Sequence, residues 1–209
     1  MAIKEFARRA LSCKAVLLDL DNTLYEFAPC HAAALKKSHG LYAAKVRRIS
    51  FSDFRRLYVR ARAEVKKTTR GQAASHSRLL YFKRMLEETG AGRSTLALDL
   101  DRAYWKAYMD RMKIRPWVRP LLLRLRKKGT PIVIVTDMTA AWQLEKVKKL
   151  KLEGLVDFIV TSEEAGVEKP HAAIFKFALR KAGAKAGQAI MIGDDPRKDR
   201  TRLLDCYLV

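Results

Sequence analysis

Carboxylate side chains are concentrated at two points of the chain where a short apolar run ends. Asp19 and Asp21 follow one such run, and Asp194, Asp195 and Asp199 follow another. Carboxylates can transfer protons, and their oxygens are the ligands that Mg²⁺ prefers. Two carboxylates 4 Å apart repel by about 4 kcal/mol at an effective dielectric of 20. If the fold brings the two points together, the cluster predicts a bound cation.

Two further polar residues suit the same centre. Thr136 closes a β-branched run, and Lys169 precedes Pro170 in the segment before the second acidic group. A hydroxyl and an ammonium group can bind the oxygens of an anionic substrate. Structural roles are the alternatives, with Thr136 in a turn, Lys169 as a surface charge, and Asp194 and Asp195 as caps of a following helix.

The elements that must position these residues alternate between strand and helix. Short apolar runs of strand character cover residues 15–18, 131–136, 158–161 and 189–193. Helical spacing is found at residues 140–150 and 172–182, and the apolar stripe of the first of these helices consists of Trp142, Leu144, Val147 and Leu150. This alternation predicts an α/β fold with a doubly wound, mainly parallel, Rossmann-like sheet. Ligands of such sheets bind beyond the carboxyl ends of the strands, where Asp19, Thr136 and Asp194 are expected.

A long insert separates the first two predicted strands. It contains no convincing strand, and apolar residues recur at helical spacing in residues 52–67, 77–88 and 95–112. We therefore predict a core of residues 1–26 and 116–209 and an all-helical cap module of residues 27–115. Arg78 and Tyr81 lie on a cap helix from which a side chain could reach a substrate, although a solvated face is the default for the basic residues of the insert.

The residues and their order resemble the signature of the haloacid dehalogenase (HAD) superfamily. That signature is D-x-D-x-T, a Ser or Thr after a strand, a Lys, and then G-D-D or G-D-x₄-D. The matching residues are Asp19-Leu20-Asp21-Asn22-Thr23, Thr136, Lys169 and Gly193-Asp194-Asp195 with Asp199. The resemblance covers residues 15–199. Residues 135–139 and 161–170 are similar to nucleotidase-like and small-phosphoester phosphatases of the subgroup with a helical cap between motifs one and two.

The resemblance implies a role for each matching residue. Asp19 would be the nucleophile that forms an aspartyl-phosphate, and Asp21 would be the general acid and base. Thr136, Lys169 and the backbone amides of Leu20 and Asp21 would bind the phosphoryl group. The implied cofactor is Mg²⁺, held by Asp19, the carbonyl of Asp21, Asp194 and Asp195, with Thr23 and Asp199 in support.

The implied function is Mg²⁺-dependent hydrolysis of a small phosphorylated metabolite such as a nucleotide or a sugar phosphate. Asp21 favours phosphate monoesters, because the dehalogenase and phosphonate-cleaving branches of the superfamily lack an aspartate at this position. A HAD phosphomutase stays open as an alternative, since mutases resemble phosphatases in the core.

The charge balance leaves a second class of function open. With 43 Lys and Arg against 22 Asp and Glu, the net charge is +21, which attracts anionic substrates and polyanions alike. A basic nucleic-acid-binding protein on an inactive HAD scaffold is therefore the alternative, although the intact catalytic positions favour the enzyme. We expect a cytoplasmic protein without membrane partners, because no apolar run reaches the roughly 18 residues of a transmembrane helix. The sequence leaves the oligomeric state open.

The C-terminal segment departs from the family pattern. The family usually continues after the last aspartate with small residues, a helix and another strand. Here small residues are missing after Asp199, and the expected helix is shortened. We expect residues 206–209 either to form a residual edge strand or to mark a truncated end.

Overall fold

The computed structural model describes residues 8–91 and 94–209. The chain divides into two compact units, the first made of Met1–Glu26 with Lys113–Val209 and the second of Phe27–Met112. The helices of the second unit are α1 (Phe27–Lys45), α2 (Phe51–Thr68), α3 (Arg78–Glu88) and α4 (Leu96–Arg111). Those of the first unit are α5 (Val118–Lys127), α6 (Ala140–Lys149), α7 (Ser162–Ala165) and α8 (Ala172–Lys181).

Residues 113–115, which the sequence pattern assigned to the insert, belong to the first unit. Ile114 forms an antiparallel β-bridge with Tyr25, and the amide of Arg115 donates to the carbonyl of Leu24 at 2.8 Å. These bonds hold the segments on either side of the insert together, so the insert leaves and returns at one place on the first unit.

The first unit is built on a five-stranded sheet whose paired strands all run parallel. The strands are β1 (Ala15–Leu18), β2 (Ile132–Thr136), β3 (Phe158–Thr161), β4 (Ala189–Gly193) and β5 (Asp205–Leu208), in the order β3-β2-β1-β4-β5. Strands β1, β2 and β4 are buried along their whole length, as expected of central strands in a parallel sheet. The predicted α/β, doubly wound fold is confirmed, and the predicted edge strand is present as β5.

One face of the sheet packs against α8. Leu17, Val133 and Met191 contribute from three neighbouring strands, and Ile174 and Phe175 contribute from the helix. Full burial of such side chains stabilises the fold by about 1.5–3 kcal/mol each. This packing fixes the strands, and therefore the residues that follow them.

The order of the strands defines where a ligand binds. Strand β1 is flanked by β2 on one side and by β4 on the other, so the chain winds in opposite directions from it. A crevice forms at such a switch point, beyond the carboxyl ends of the strands. Asp19, Thr136 and Asp194 lie at or directly after these three strand ends.

The second unit is a helical bundle in its described residues. Helix α1 packs against α4, and α3 packs against both α2 and α4. The interior is aromatic, and its largest fully buried side chains include Tyr42, Phe54, Phe82, Tyr104 and Trp105. Among the helices that the structure describes, none combines the length and the apolar character that crossing a bilayer requires.

Candidate active site

Asp19 directly follows β1, at the centre of the sheet. Its amide donates to the carbonyl of Ile192 at 2.8 Å and so extends the pairing of β1 with β4. The chain then turns sharply, with Asn22 in the left-handed conformation at a φ of 67°, which asparagine tolerates better than most residues. The turn brings Thr23 back to Asp19, and the Thr23 hydroxyl donates to Asp19 Oδ2 at 2.6 Å.

Lys169 joins Asp19 to the second acidic group. Its Nζ lies 2.7 Å from Asp19 Oδ1 and 2.6 Å from Asp199 Oδ1, and all three side chains are buried. Burial lowers the pKa of Lys169, but the carboxylates of Asp19 and Asp199 outweigh this and raise it above its ordinary value. Lys169 is therefore a fixed positive charge.

Asp194 completes the group at the end of β4. Oxygen atoms of Asp19, Asp194 and Asp199 all lie within 4.8 Å of one another. The Asn22 side chain donates to Asp194 Oδ2 at 2.7 Å, which ties the two strand ends together. Burial raises the pKa of Asp19 to about 7, and Asp199 adds to this effect while Lys169 opposes it. One lysine thus leaves three carboxylates under-compensated, and their oxygen donors fit Mg²⁺.

Asp195 is not part of this carboxylate group. Its Oδ1 accepts a hydrogen bond from the amide of Arg197 at 2.9 Å and lies 3.3 Å from the Arg197 guanidinium. Asp199, expected only in support, lies inside the group instead. The chain turns after Asp194, which directs the neighbouring carboxylate to its own loop.

Gly193 makes room for Asp199. A Cβ at position 193 would lie 2.1 Å from Asp199 Oδ2 and 2.8 Å from its Cβ. Any larger residue would therefore displace the Asp199 carboxylate from Lys169. The glycine of the G-D-D segment is required by close packing.

Asp21 lies in a different environment, surrounded by hydrogen-bond donors. Its Oδ1 accepts from Lys146 Nζ at 2.6 Å and from the Tyr25 hydroxyl, and its Oδ2 accepts from the Gln143 amide at 3.0 Å. Burial raises the pKa of Asp21, but Lys146, Tyr25 and Gln143 together lower it to about 2. The Asp21 carboxylate is thus ionised and firmly oriented.

Gln143 links Asp21 to the phosphate-binding candidate Thr136. Its amide nitrogen lies 2.7 Å from Thr136 Oγ1 and 2.6 Å from the carbonyl of Asp137, in addition to its contact with Asp21. Gln143 is completely buried and Lys146 nearly so. One polar bridge therefore joins the ends of β1 and β2.

The predicted apolar stripe of α6 is wrong in part. Leu144 is 53% exposed, whereas Gln143 and Lys146 are buried with Val147 and Leu150. The buried face of α6 is identified by the i, i+3, i+4, i+7 spacing of residues 143, 146, 147 and 150. It was missed because two of the four are polar, and their burial makes sense only once Asp21 is seen beside them.

Asp137 fixes the segment that contains Lys169. Its Oδ1 accepts from the Lys169 amide at 2.9 Å, and its Oδ2 accepts from Lys198 Nζ at 2.6 Å.

Leu20 has a fully buried side chain, so its backbone amide is the group it can offer to a ligand.

The comparisons with known proteins agree with this geometry. A family model of haloacid dehalogenase-like hydrolases matches residues 13–200. A ribulose-1,5-bisphosphate 5-phosphatase of Halopiger xanaduensis is 44% identical over 190 residues, which cover 88% of this chain and 78% of that protein. A glyceraldehyde 3-phosphate phosphatase of Methanopyrus kandleri is 32% identical, covering 89% of this chain and 77% of its own.

The solved structures point the same way. The crystal structure of a 2-haloacid dehalogenase from Pseudomonas syringae superposes with a TM-score of 0.70 and 26% identity, covering 90% of this chain and 80% of that one. The chain belongs to the haloacid dehalogenase-like hydrolases. The prediction of a HAD-like phosphatase is confirmed at the level of enzyme class.

Proposed function

We propose that the chain is a Mg²⁺-dependent phosphatase that hydrolyses a sugar phosphate through an aspartyl-phosphate on Asp19. The observation that carries this proposal is the placement of the Asp19 carboxylate, which is oriented by Thr23 and Lys169 at the carboxyl end of the central strand. Asp194 and Asp199 lie within reach of the same point.

In the first step, a carboxylate oxygen of Asp19 attacks the phosphorus in line with the ester bond. The P–O ester bond breaks, and the leaving alkoxide takes a proton that Asp21 has first accepted from solvent or from the monoanionic phosphate group of the substrate. Lys169, the Thr136 hydroxyl and the amides of Leu20 and Asp21 bind the phosphoryl oxygens, where negative charge is concentrated. The products are an alcohol and the aspartyl-phosphate.

In the second step, water attacks the phosphorus of the aspartyl-phosphate. Asp21 accepts a proton from this water, inorganic phosphate leaves, and the Asp19 carboxylate is regenerated. Lys146, Gln143 and Tyr25 position Asp21 for both proton transfers, because they hold its two oxygens from three directions.

The carboxylates suit a divalent cation in composition and spacing. Asp19, Asp194 and the backbone carbonyl of Asp21 would hold Mg²⁺, with Asp199 and Thr23 in support and Asp195 at most in an outer position. When bound, the cation neutralises charge on the carboxylates and on the transferring phosphoryl group.

The relatives suggest the substrate class. Two of them are named for phosphorylated sugars or sugar-like aldehydes, so we propose a small sugar phosphate, with a pentose bisphosphate as the first candidate. The second unit, residues Phe27–Met112, would act as the cap module that selects the substrate. The aspartate at position 21 favours a phosphate ester over a haloacid, because an alkoxide must be protonated and a halide need not be.

The test is a phosphate-release assay with Mg²⁺ on p-nitrophenyl phosphate, ribulose 1,5-bisphosphate and a panel of nucleotides. We expect turnover by the wild type and a loss of about 10⁴-fold or more for Asp19→Asn. Asp205→Asn, which changes an exposed carboxylate on β5, serves as the control. Equal turnover by wild type and Asp19→Asn contradicts the proposal, and an isomerised sugar phosphate without phosphate release identifies a phosphomutase.

A further inference from the structure

Gln143 contacts two groups of the catalytic centre through a single atom. Its Nε2 lies 3.0 Å from Asp21 Oδ2, 2.7 Å from Thr136 Oγ1 and 2.6 Å from the carbonyl oxygen of Asp137. The side chain is completely buried and extends from α6. The four residues all belong to the first unit. Which of the contacting groups donates a proton, and which accepts one, therefore decides what Gln143 does.

The neighbours of Gln143 fix which end of its amide faces them. The Asp21 carboxylate is held by Lys146, and the carbonyl of Asp137 has no proton, so both groups can only accept hydrogen bonds. If the amide were reversed, its oxygen would lie against these two oxygens without a proton between them. The atom that faces Asp21, Thr136 and Asp137 is therefore the nitrogen, and its two N–H groups serve all three acceptors.

The oxygen end of the same amide has no partner. Gln143 Oε1 is buried, and no described residue donates a hydrogen bond to it. A buried carbonyl oxygen without a donor destabilises the fold, because it has lost its hydrogen bonds to water. An apolar side chain of similar length, such as methionine, would avoid this cost. The presence of a polar residue at this position is therefore explained by its donor end.

The contact with Gln143 sets the direction of the Thr136 hydroxyl. An amide N–H cannot accept a hydrogen bond, so Thr136 Oγ1 accepts from Gln143 and the hydroxyl keeps its own proton for another acceptor. Among the described residues, that proton has one acceptor, the carbonyl of Asp137 at 3.3 Å, which is longer than the roughly 2.5–3.0 Å of a good O–H···O bond. The same carbonyl already accepts from Gln143 at 2.6 Å. The hydroxyl proton is therefore available to a ligand.

We propose that Gln143 is a positioning residue that directs the proton of the Thr136 hydroxyl towards the transferring phosphoryl group. The inference rests on the proposed function for the identity of the ligand. Because Thr136 accepts from Gln143, its hydroxyl donates to a phosphoryl oxygen and stabilises the negative charge there. The same amide nitrogen holds Asp21. One buried side chain thus orients both the group that binds a phosphoryl oxygen and the group that transfers protons.

Kinetic coupling between positions 143 and 136 tests this role. The readout is kcat/KM for p-nitrophenyl phosphate with Mg²⁺. Thr136→Val should lower it by about 10- to 100-fold, the effect of losing one hydrogen bond to a charged group. Gln143→Met should cost at least as much in the wild type but about tenfold less when Thr136→Val is already present, because the hydroxyl that it orients is then gone. Independent losses would overturn the inference, since Gln143 would then act through Asp21 alone.

Two further variants control the comparison. Gln72→Met makes the same chemical change at an exposed glutamine and should leave kcat/KM unchanged. Thr136→Ser keeps the hydroxyl, so the full loss caused by Gln143→Met should return in this background. A purely structural role of Gln143 would give the same loss in the serine and the valine backgrounds, and that result would also overturn the inference.

Nuclear magnetic resonance of the side-chain amides tests the hydrogen bond without turnover. The chain has three glutamines and one asparagine, so the amide protons of Gln143 are assigned with Gln143→Met or, if that variant does not fold, by elimination with Gln72→Met and Gln188→Met. One of the two protons should move upfield in Thr136→Val and not in Thr136→Ser, and unmoved signals overturn the inference. If the wild type turns over no phosphate ester, the proposed function fails by itself, and the amide signals alone decide whether Gln143 donates to Thr136.

Discussion

The two units compensate their buried charges in opposite ways. In the first unit, the carboxylates of Asp19 and Asp199 share Lys169, and Asp21 has Lys146. In the second unit, Arg78 is embedded among the rings of Tyr81, Tyr104 and Trp105. A catalytic centre must hold its groups in place before the substrate arrives, so Lys169 and Lys146 orient the carboxylates, and the remaining negative charge of the three-carboxylate group fits a cation. In the second unit, aromatic faces and the carbonyl of His76 surround the buried cation instead.

Removal of Lys169 should reduce the activity of the catalytic centre more than removal of Lys146 does. Lys169→Met deletes the cation that contacts both Asp19 and Asp199. We expect kcat/KM to fall by about 10²–10³-fold, the usual effect of removing one group that stabilises charge in the transition state. The measurement is phosphate release from p-nitrophenyl phosphate at saturating Mg²⁺.

Lys181→Met is the matched control for this change. Lys181 pairs with Glu164 on the surface of the same unit, and an exposed pair of this kind contributes little to stability. Activity within about threefold of wild type for Lys169→Met would show that the ammonium group is not needed for binding the phosphoryl group.

Lys146→Met should have the next largest effect, because it acts through Asp21. General acid–base catalysis contributes about 10²–10⁴-fold, so misplacing Asp21 should cost about 10²-fold in kcat with little change in KM. The loss should be larger for an alkyl phosphate such as glycerol phosphate than for p-nitrophenyl phosphate, whose leaving group needs less protonation. Lys149→Met, on the exposed face of the same helix, is the control.

A double-mutant cycle separates positioning from a structural effect. In an Asp21→Asn background, Lys146→Met should cost almost nothing further, because its partner carboxylate is already gone. Additive losses would mean that Lys146 supports the fold of α6 rather than the placement of Asp21. The cycle also avoids leaving a buried carboxylate without its cation, which alone can cost about 3–5 kcal/mol.

The sequence predicted the sheet better than it predicted the contacts between side chains. Strands β1, β2 and β4 were found because their apolar runs end abruptly at polar residues, and central parallel strands are buried on both faces. The positions of Asp19 and Asp194 followed from the strand ends alone. The sequence does not show whether Asp195 or Asp199 joins the carboxylate group, because the turn after β4 decides which carboxylate faces Lys169.

Long-range polar contacts account for what was missed. Gln143 and Lys146 are more than a hundred residues from Asp21 in the chain, and no local pattern shows that a buried amide and ammonium group have a carboxylate beside them. Arg78 was expected to lie on a solvated face or to reach a substrate, yet it is buried in an aromatic cage. In both cases the burial of a polar group is explained only by its tertiary partners.

The smallest expected effect is a change in the pH dependence of stability, and it concerns His31 of the second unit. The pKa of His31 is about 4 in the folded protein, below its ordinary value of 6.5, because the ring is buried and because Arg78, Arg62 and Arg55 disfavour a further positive charge. Since the unfolded chain binds this proton more readily, stability rises with pH through this range. The contribution is fully present above pH 6.5 and is lost as the pH falls towards 4.

We expect the free energy of unfolding to drop by about 1–2 kcal/mol more in the wild type than in His31→Gln between pH 7 and pH 4.5, after discounting for the partly exposed ring. Urea unfolding at the two pH values measures the difference between the proteins, which cancels the titration of groups common to both. An equal loss in the two proteins would mean that burial and the neighbouring arginines do not lower the pKa of His31.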